Sequence, residues 1–179
     1  FSLLNVSLRY WFVKLSSSHI NRDLPEVEGI KRSVLEEIAK RAFEEKTKSD
    51  LYPKALEYIR GLQQRGEEIA IATSSVDIIV KPLTEYLGIE KVIASSMEFI
   101  DGVCTGKFID APTFHHQKLK KVLSFLAEQA TPVEECSFYS DSIYDLPLME
   151  TVGDPVPTNP DFPLSRHAKK VGWRILDFT

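Results

Sequence analysis

Two aspartates four residues apart, Asp141 and Asp145, close the apolar run "CSFYSDSIYD". The end of a buried strand is a poor place for an unpaired carboxylate, because desolvating a charge is costly unless cations or hydrogen-bond donors offset it. Other places in the chain hold groups of the right kind. "EIAIATSS" ends in the hydroxyls of Thr73, Ser74 and Ser75, and Lys118 stands at the start of "HHQKLKKVLSFLAEQA", between the two runs. Hydroxyls and strand-end amides suit phosphate oxygens, an ammonium neutralises their charge, and hard carboxylate oxygens suit Mg²⁺. Together these residues describe a phosphate and metal site. Each also has a plainer use: Thr73 to Ser75 can cap the next helix, Lys118 can be a solvated lysine at a helix start, and Asp141 with Ser142 can form a cap.

The elements that must position these groups follow from periodicity. Residues 5–48 show helical spacing with no strand-like run, with Ile30, Val34, Ile38 and Ala42 recurring on one face. From Leu51 onward, helices alternate with apolar strands. "YPKALEYIRGLQQRG" is an amphipathic helix closed by Gly66, "EIAIATSS" a buried strand, "VDIIVKPLTEYLG" a helix and "KVIASS" a strand. "EFIDGVCTGKFID" is a hairpin turning at Asp101-Gly102. A helix comes next with Leu119, Val122, Leu123 and Leu126 inward, then "CSFYS", a short run near "DPVPT" and a last strand "WRILDF". Such alternation predicts an α/β fold with a parallel sheet covered by helices on both faces, residues 51–179 forming the core and residues 5–50 a helical cap. In such a sheet ligands sit beyond the carboxyl ends of the strands, which is where the polar groups above fall.

Composition narrows the function classes. The chain has 179 residues, 43% hydrophobic and 27% charged, enough for one sizeable core. A net charge of -4 gives no basic field for nucleic acid, so no nucleic-acid partner is expected. Two cysteines, Cys104 and Cys136, make no disulfide framework and fit a reducing, cytoplasmic setting. "FSLLNVSLRYWFVKL" carries Arg9 and Lys14, so no membrane span is expected. Oligomeric state is not legible from the residues.

The run "SDSIYDLPLMETVGDPVPTNPDFPLSRHAKKVGWRILDF" resembles the carboxyl end of the haloacid dehalogenase superfamily, in its phosphoserine-phosphatase-like branch, subfamily IB. "IAIATSSVDIIVKPLTEYLGIEKVIASSMEFIDGVCTGKF" is similar to that branch's second motif and its continuation. The resemblance spans residues 51–179; for residues 1–50 only position supports it. It implies a three-layer Rossmann-like core with a small helical cap, and a Mg²⁺-dependent phosphatase acting on a small phosphorylated substrate through an aspartyl-phosphate. By the same resemblance Thr73 binds the phosphoryl group, with Ser74 and Ser75 beside it, and Lys118 balances charge. Asp141 is the direct metal ligand, and Asp145 holds a metal-bound water while orienting Lys118, so that Lys118 and Asp145 are the implied catalytic residues.

The family's first motif, DxDxT, which supplies the nucleophile at the end of the first strand, is absent from the sequence. "FSLLNVSLRY" looks like the continuation of that motif, which places the first strand upstream of residue 1. The alternative is a non-catalytic protein of the same fold that binds a phosphorylated ligand or a protein partner. His115 stands where many relatives have glycine, three before the lysine, and Tyr144 where an asparagine often precedes the last aspartate. Both lie on the side from which substrate approaches.

Overall fold

The computed structural model of the chain describes residues 2–4 and 23–179. A parallel sheet of five strands forms its centre: β1 (Ser2–Leu4), β2 (Ile69–Val76), β3 (Lys91–Ser95), β6 (Ser137–Ser140) and β7 (Asp154–Pro157), in spatial order β3-β2-β1-β6-β7. A separate antiparallel hairpin pairs β4 (Met97–Ile100) with β5 (Val103–Phe108). Its turn sits at Asp101-Gly102, where φ is 49° and 76°. Positive φ at both central positions is the type I′ geometry that matches strand twist, and Asp-Gly tolerates it.

The helices are α1 (Arg32–Glu45), α2 (Pro53–Gln64), α3 (Asp77–Leu87), α4 (His116–Glu128), α5 (Leu146–Met149) and α6 (Phe162–Val171). Side chains alternate across each strand, so the sheet feeds two cores. Ala70, Ala72 and Phe138 pack on one face with Val122, Leu126, Leu148 and Leu164 from α4, α5 and α6. Ile69, Ile71 and Tyr139 pack on the other with Phe43, Ile59, Leu62, Val80 and Leu83 from α1, α2 and α3. Burial on both faces is why these strands read as continuous apolar runs, and the result is three layers.

Several expectations need correction. Ser2–Leu4, expected in no strand, fills the central slot of the sheet, Leu4 pairing with Ile71 on one side and Tyr139 on the other. A three-residue pairing is too short to show a period-2 pattern beside the helical spacing of the residues after it. Residues 5–22 of the expected cap lie outside the described residues. Within the rest of that cap, residues 24–32 are not helical throughout but run antiparallel to β5. Gly29 N–H donates to Cys104 O at 2.9 Å and Cys104 N–H to Ile30 O at 2.8 Å, with an isolated bridge between Lys31 and Val103. Helix α1 then turns a different face inward from the one expected. Val34 and Ile38 are exposed, while Ala39 and Phe43 are buried, Phe43 packing on Tyr86 of α3 at 5.6 Å between ring centroids. Leu123 of α4 is likewise exposed rather than inward.

The last strand, expected over residues 173–178, reduces to a single bridge between Thr158 and Leu176. Asp154 and Thr158 direct their N–H groups to Cys136 O and Ser140 O of the β6 segment. Positions 155 and 157 therefore face the open edge, where prolines have no N–H to give. Helix α6 is absent from the expected elements, although its signals are in the sequence: Asp161 accepts from Leu164 N at 2.9 Å as N-cap, and Gly172 ends the helix at φ 79°.

Gly153 lies just before β7, and a Cβ added there would fall 1.8 Å from the carbonyl oxygen of Glu134, a backbone atom that cannot swing away. Gly153→Ala is expected to destabilise the protein by about 1–3 kcal/mol or more, as overpacking against fixed atoms does. Urea unfolding measures it, and an unchanged midpoint would contradict this close approach.

Candidate active site

Strand order reverses at β1: β2 and β3 lie to one side, β6 and β7 to the other. In open α/β sheets such a reversal opens a crevice at the carboxyl ends of the strands, and the predicted site residues lie around it. Ile71 and Tyr139 both pair with Leu4 of β1, so the strand ends two residues further on, Thr73 and Asp141, stand roughly 10 Å apart, two strand spacings.

Thr73 is buried, whereas Ser74 is exposed and Ser75 half-buried. The pairing of β2 with β3 shifts register between Ala72 and Val76, so these three residues occupy an irregular stretch of strand. A bulge of this kind re-aims side chains out of the regular alternation. Thr73 Oγ1 accepts from Ser75 N–H at 3.1 Å, which leaves the hydroxyl proton to donate elsewhere.

The centre of the site is an ion pair. Lys118 Nζ lies 2.6 Å from Asp145 Oδ1, with side-chain exposures of 5% and 4%. The other oxygen of Asp145, Oδ2, accepts from the Ser140 hydroxyl at 2.7 Å. Ser140 Oγ in turn accepts from Ser142 N–H at 3.2 Å, which shapes the turn out of β6. Lys118, in the first turn of α4, thus meets the carboxylate beyond the end of β6. Asp141 stands half-buried at the start of the same turn, its carbonyl accepting from Asp161 N–H at 2.7 Å.

Three contributors escaped the sequence reading. Asp161 accepts from Ile143 N–H at 3.0 Å as well as from Leu164 N–H, and so ties the Asp141–Asp145 turn to α6. Its position before a proline-bearing helix start was the available signal. Ser95 donates to Ser74 O at 3.3 Å and accepts from Thr113 N–H at 2.9 Å, joining the ends of β2 and β3 to the segment before α4. Both side chains are buried, Thr113 fully. Nothing in the spacing of Ser95 and Thr113 announced that link. The cysteines stay out of the chemistry: both are buried, and burial pushes the Cys136 thiol up, away from a reactive thiolate.

The donor set suits a hard cation in part. Both oxygens of Asp145 are engaged, one by Lys118 and one by Ser140, and Asp141 supplies a second carboxylate of the hard-oxygen type that such a cation takes. Among the described residues no group of three or more His, Cys, Asp or Glu converges as a metal site. Among them, too, no helix is long and apolar enough to cross a membrane.

Residues 16–150 match the haloacid dehalogenase-like hydrolase family. A histidinol-phosphatase from Neisseria meningitidis serogroup C is 34% identical over 124 residues, which cover 67% of this chain and 56% of that protein. The phosphoserine phosphatase SerB1 of Mycobacterium tuberculosis is 28% identical over 113 residues, covering 63% of this chain and 37% of that one. The chain spans about half the length, or less, of these curated relatives. A crystal structure of a protein of unknown function from Bordetella pertussis Tohama I superimposes with a TM-score of 0.78 at 27% identity, over 83% of this chain and 68% of that one. A probable phosphoserine phosphatase from Vibrio cholerae, unliganded, shares the fold with a TM-score of 0.66 at 16% identity, over 87% of this chain and 45% of that one.

Removing one member of a buried ion pair strands the other charge, so Lys118→Met is expected to cost about 3–5 kcal/mol of stability. Adding Asp145→Leu should restore most of that loss. Urea unfolding of the two variants checks it: a single variant within about 1 kcal/mol of the parent would mean that the pair is not closed in solution.

Proposed function

The chain belongs to the haloacid dehalogenase-like hydrolase family, and on that footing we propose that it forms the phosphoryl-binding part of a Mg²⁺-dependent phosphomonoester hydrolase. The observation that carries this is the buried Lys118–Asp145 pair at the carboxyl edge of a parallel sheet, with Thr73 and Asp141 ending strands on either side of β1. A small phosphorylated substrate is the partner, in line with relatives named for histidinol phosphate and phosphoserine.

Each residue has a task that its contacts permit. Thr73 donates its hydroxyl proton to a phosphoryl oxygen, because its acceptor side is already met by Ser75 N–H. An ammonium has three protons, so Lys118 can spend one on Asp145 and direct the others at phosphoryl oxygens, where negative charge gathers during transfer. Asp145 holds that ammonium in place, and Ser140, donating to the other oxygen of Asp145, holds the carboxylate. Ser74 and Ser75 flank the anion with their hydroxyls. Mg²⁺, held on Asp141, would add positive charge against the phosphoryl oxygens and fix their orientation.

A second reading keeps one specific observation in its favour. Strand β1, Ser-Leu-Leu, carries no carboxylate, and the sequence after it has none before Asp23. An aspartate able to receive the phosphoryl group is therefore missing from the end of the central strand, the arrangement expected of a protein of this fold that binds a phosphoryl group without turnover. Binding and turnover separate the two.

Inorganic phosphate should raise the melting temperature of the 179-residue chain in Mg²⁺. Thr73→Val should weaken phosphate about tenfold, the worth of one hydrogen bond to a charged group. An aryl phosphate should be hydrolysed by this chain only at the uncatalysed rate. If extension of the coding sequence through an upstream DxDxT brings Mg²⁺-dependent turnover that Asp141→Asn removes, the hydrolase is supported. Phosphate binding without turnover in any extended form supports the second reading, and no phosphate effect at all overturns both.

A further inference from the structure

Just outside the ion pair, three rings gather. Phe114 precedes Lys118 by four residues, and Tyr144 immediately precedes Asp145. Their ring centroids lie 5.5 Å apart at 45°. The ring pair therefore bridges the same two elements, the start of α4 and the turn after β6, that the Lys118–Asp145 pair joins beneath. His115 extends the group, 6.2 Å from Phe114 and 4.3 Å from His116. Tyr144 is 49% exposed and Phe114 and His115 are half-buried, so part of this aromatic surface is open to solvent.

The backbone at His115 sharpens the case. It lies at φ 49°, ψ -121°, and Gln117 N–H donates to Phe114 O at 2.9 Å. These are the angles of the first central residue of a type II′ turn, a place that glycine takes without strain and a histidine does not. Strain of this sort persists where surrounding structure over-determines it, and it gathers at ligand sites. Among the described residues the imidazole makes no hydrogen bond or ion pair that would repay it; its contacts are with other rings.

Resting on the phosphoryl-site reading above, we infer that Phe114, His115 and Tyr144 form a stacking platform for the alcohol part of the substrate. The preferred phosphomonoester is then one whose leaving group carries a flat unsaturated ring, not a short aliphatic one. The strained turn is what sets the imidazole at the edge of the platform, close to the phosphate held by Lys118. Aromatic faces favour offset or edge-on rings and give a short aliphatic chain little to pack against.

Phosphonates test this without requiring turnover. In Mg²⁺, the affinity of the 179-residue chain for methylphosphonate reads the anion site alone, and the ratio of phenylphosphonate to methylphosphonate affinity reads the platform. Calorimetry should give phenylphosphonate an advantage of about tenfold, and Tyr144→Ala and His115→Gly should each bring that ratio down to about twofold. His115→Gly should do so with a melting temperature no lower than the parent's, because it removes a strained backbone. Methylphosphonate binding without a phenyl advantage, or an advantage that survives in both variants, overturns the platform and leaves the anion site standing. A lowered melting temperature in His115→Gly with the ratio intact overturns it too, by making the turn purely structural. If neither phosphonate binds, the phosphoryl site itself is wrong and the platform falls with it.

Discussion

A lysine and an aspartate, both almost sealed from water, meet at 2.6 Å between α4 and the turn after β6. Two charges can be buried this way only when each finds a partner of good geometry and the remaining lone pairs are satisfied. The second oxygen of Asp145 is met by Ser140, and Ser140 by Ser142 N–H, so the requirement propagates along the chain. It fixes where α4 must begin relative to β6, while the shared pairing with β1 sets the distance across the strand ends between Thr73 and Asp141. Helix packing alone would allow α4 to slide along the sheet; the ion pair removes that freedom. Asp161 does the same for the other side of the turn, joining Asp141 O, Ile143 N and the start of α6.

Much of the sheet and the residues of the candidate site stand out in the sequence, for one physical reason. Polar groups that end an apolar run are conspicuous, because burial makes them costly unless they are used. Thr73, Lys118, Asp141 and Asp145 all stood out on that ground, and the strands beside them were legible as continuous apolar segments. Whatever depends on distant partners stayed hidden. The inward face of α1 is decided by Phe43 reaching Tyr86 of α3, not by the stripe through Val34 and Ile38 that periodicity favours. The strand expected at residues 173–178 fails because Pro155 and Pro157 turn blank positions toward it. Likewise the backbone pairing of residues 24–32 with β5 has no local signature, since a segment that includes a 3-10 turn at Pro25–Val27 shows no strand alternation.

The hairpin is connected to the site by a longer route. Residues 24–32 lie along β5, and Arg32 at the start of α1 stacks over Phe99 of β4 at 4.1 Å. Helix α1 then packs on α3, which begins directly after the irregular end of β2. The hairpin is thus joined by packing through α1 to α3, whose first residue, Asp77, follows Thr73 by four positions. The buried link from Ser74 O through Ser95 to Thr113 closes the circuit on the side of α4.

The place of β1 has a consequence for how the chain comes together. Ser2 pairs with Ile69 on one side and Ser137 on the other, so among the described strands β1 is the one whose neighbours are furthest away in sequence. During synthesis it has to wait unpaired for β2, and its second edge stays open until β6 has emerged. Contacts of such long separation slow folding, since the entropy of closing the loop is lost before any packing compensates it. The β2-β3 pair and α3, all close in sequence, can assemble first and offer an edge onto which β1 docks. The central strand is then enclosed only once β6 has emerged, and the strand-end crevice between β2 and β6 forms only with that step.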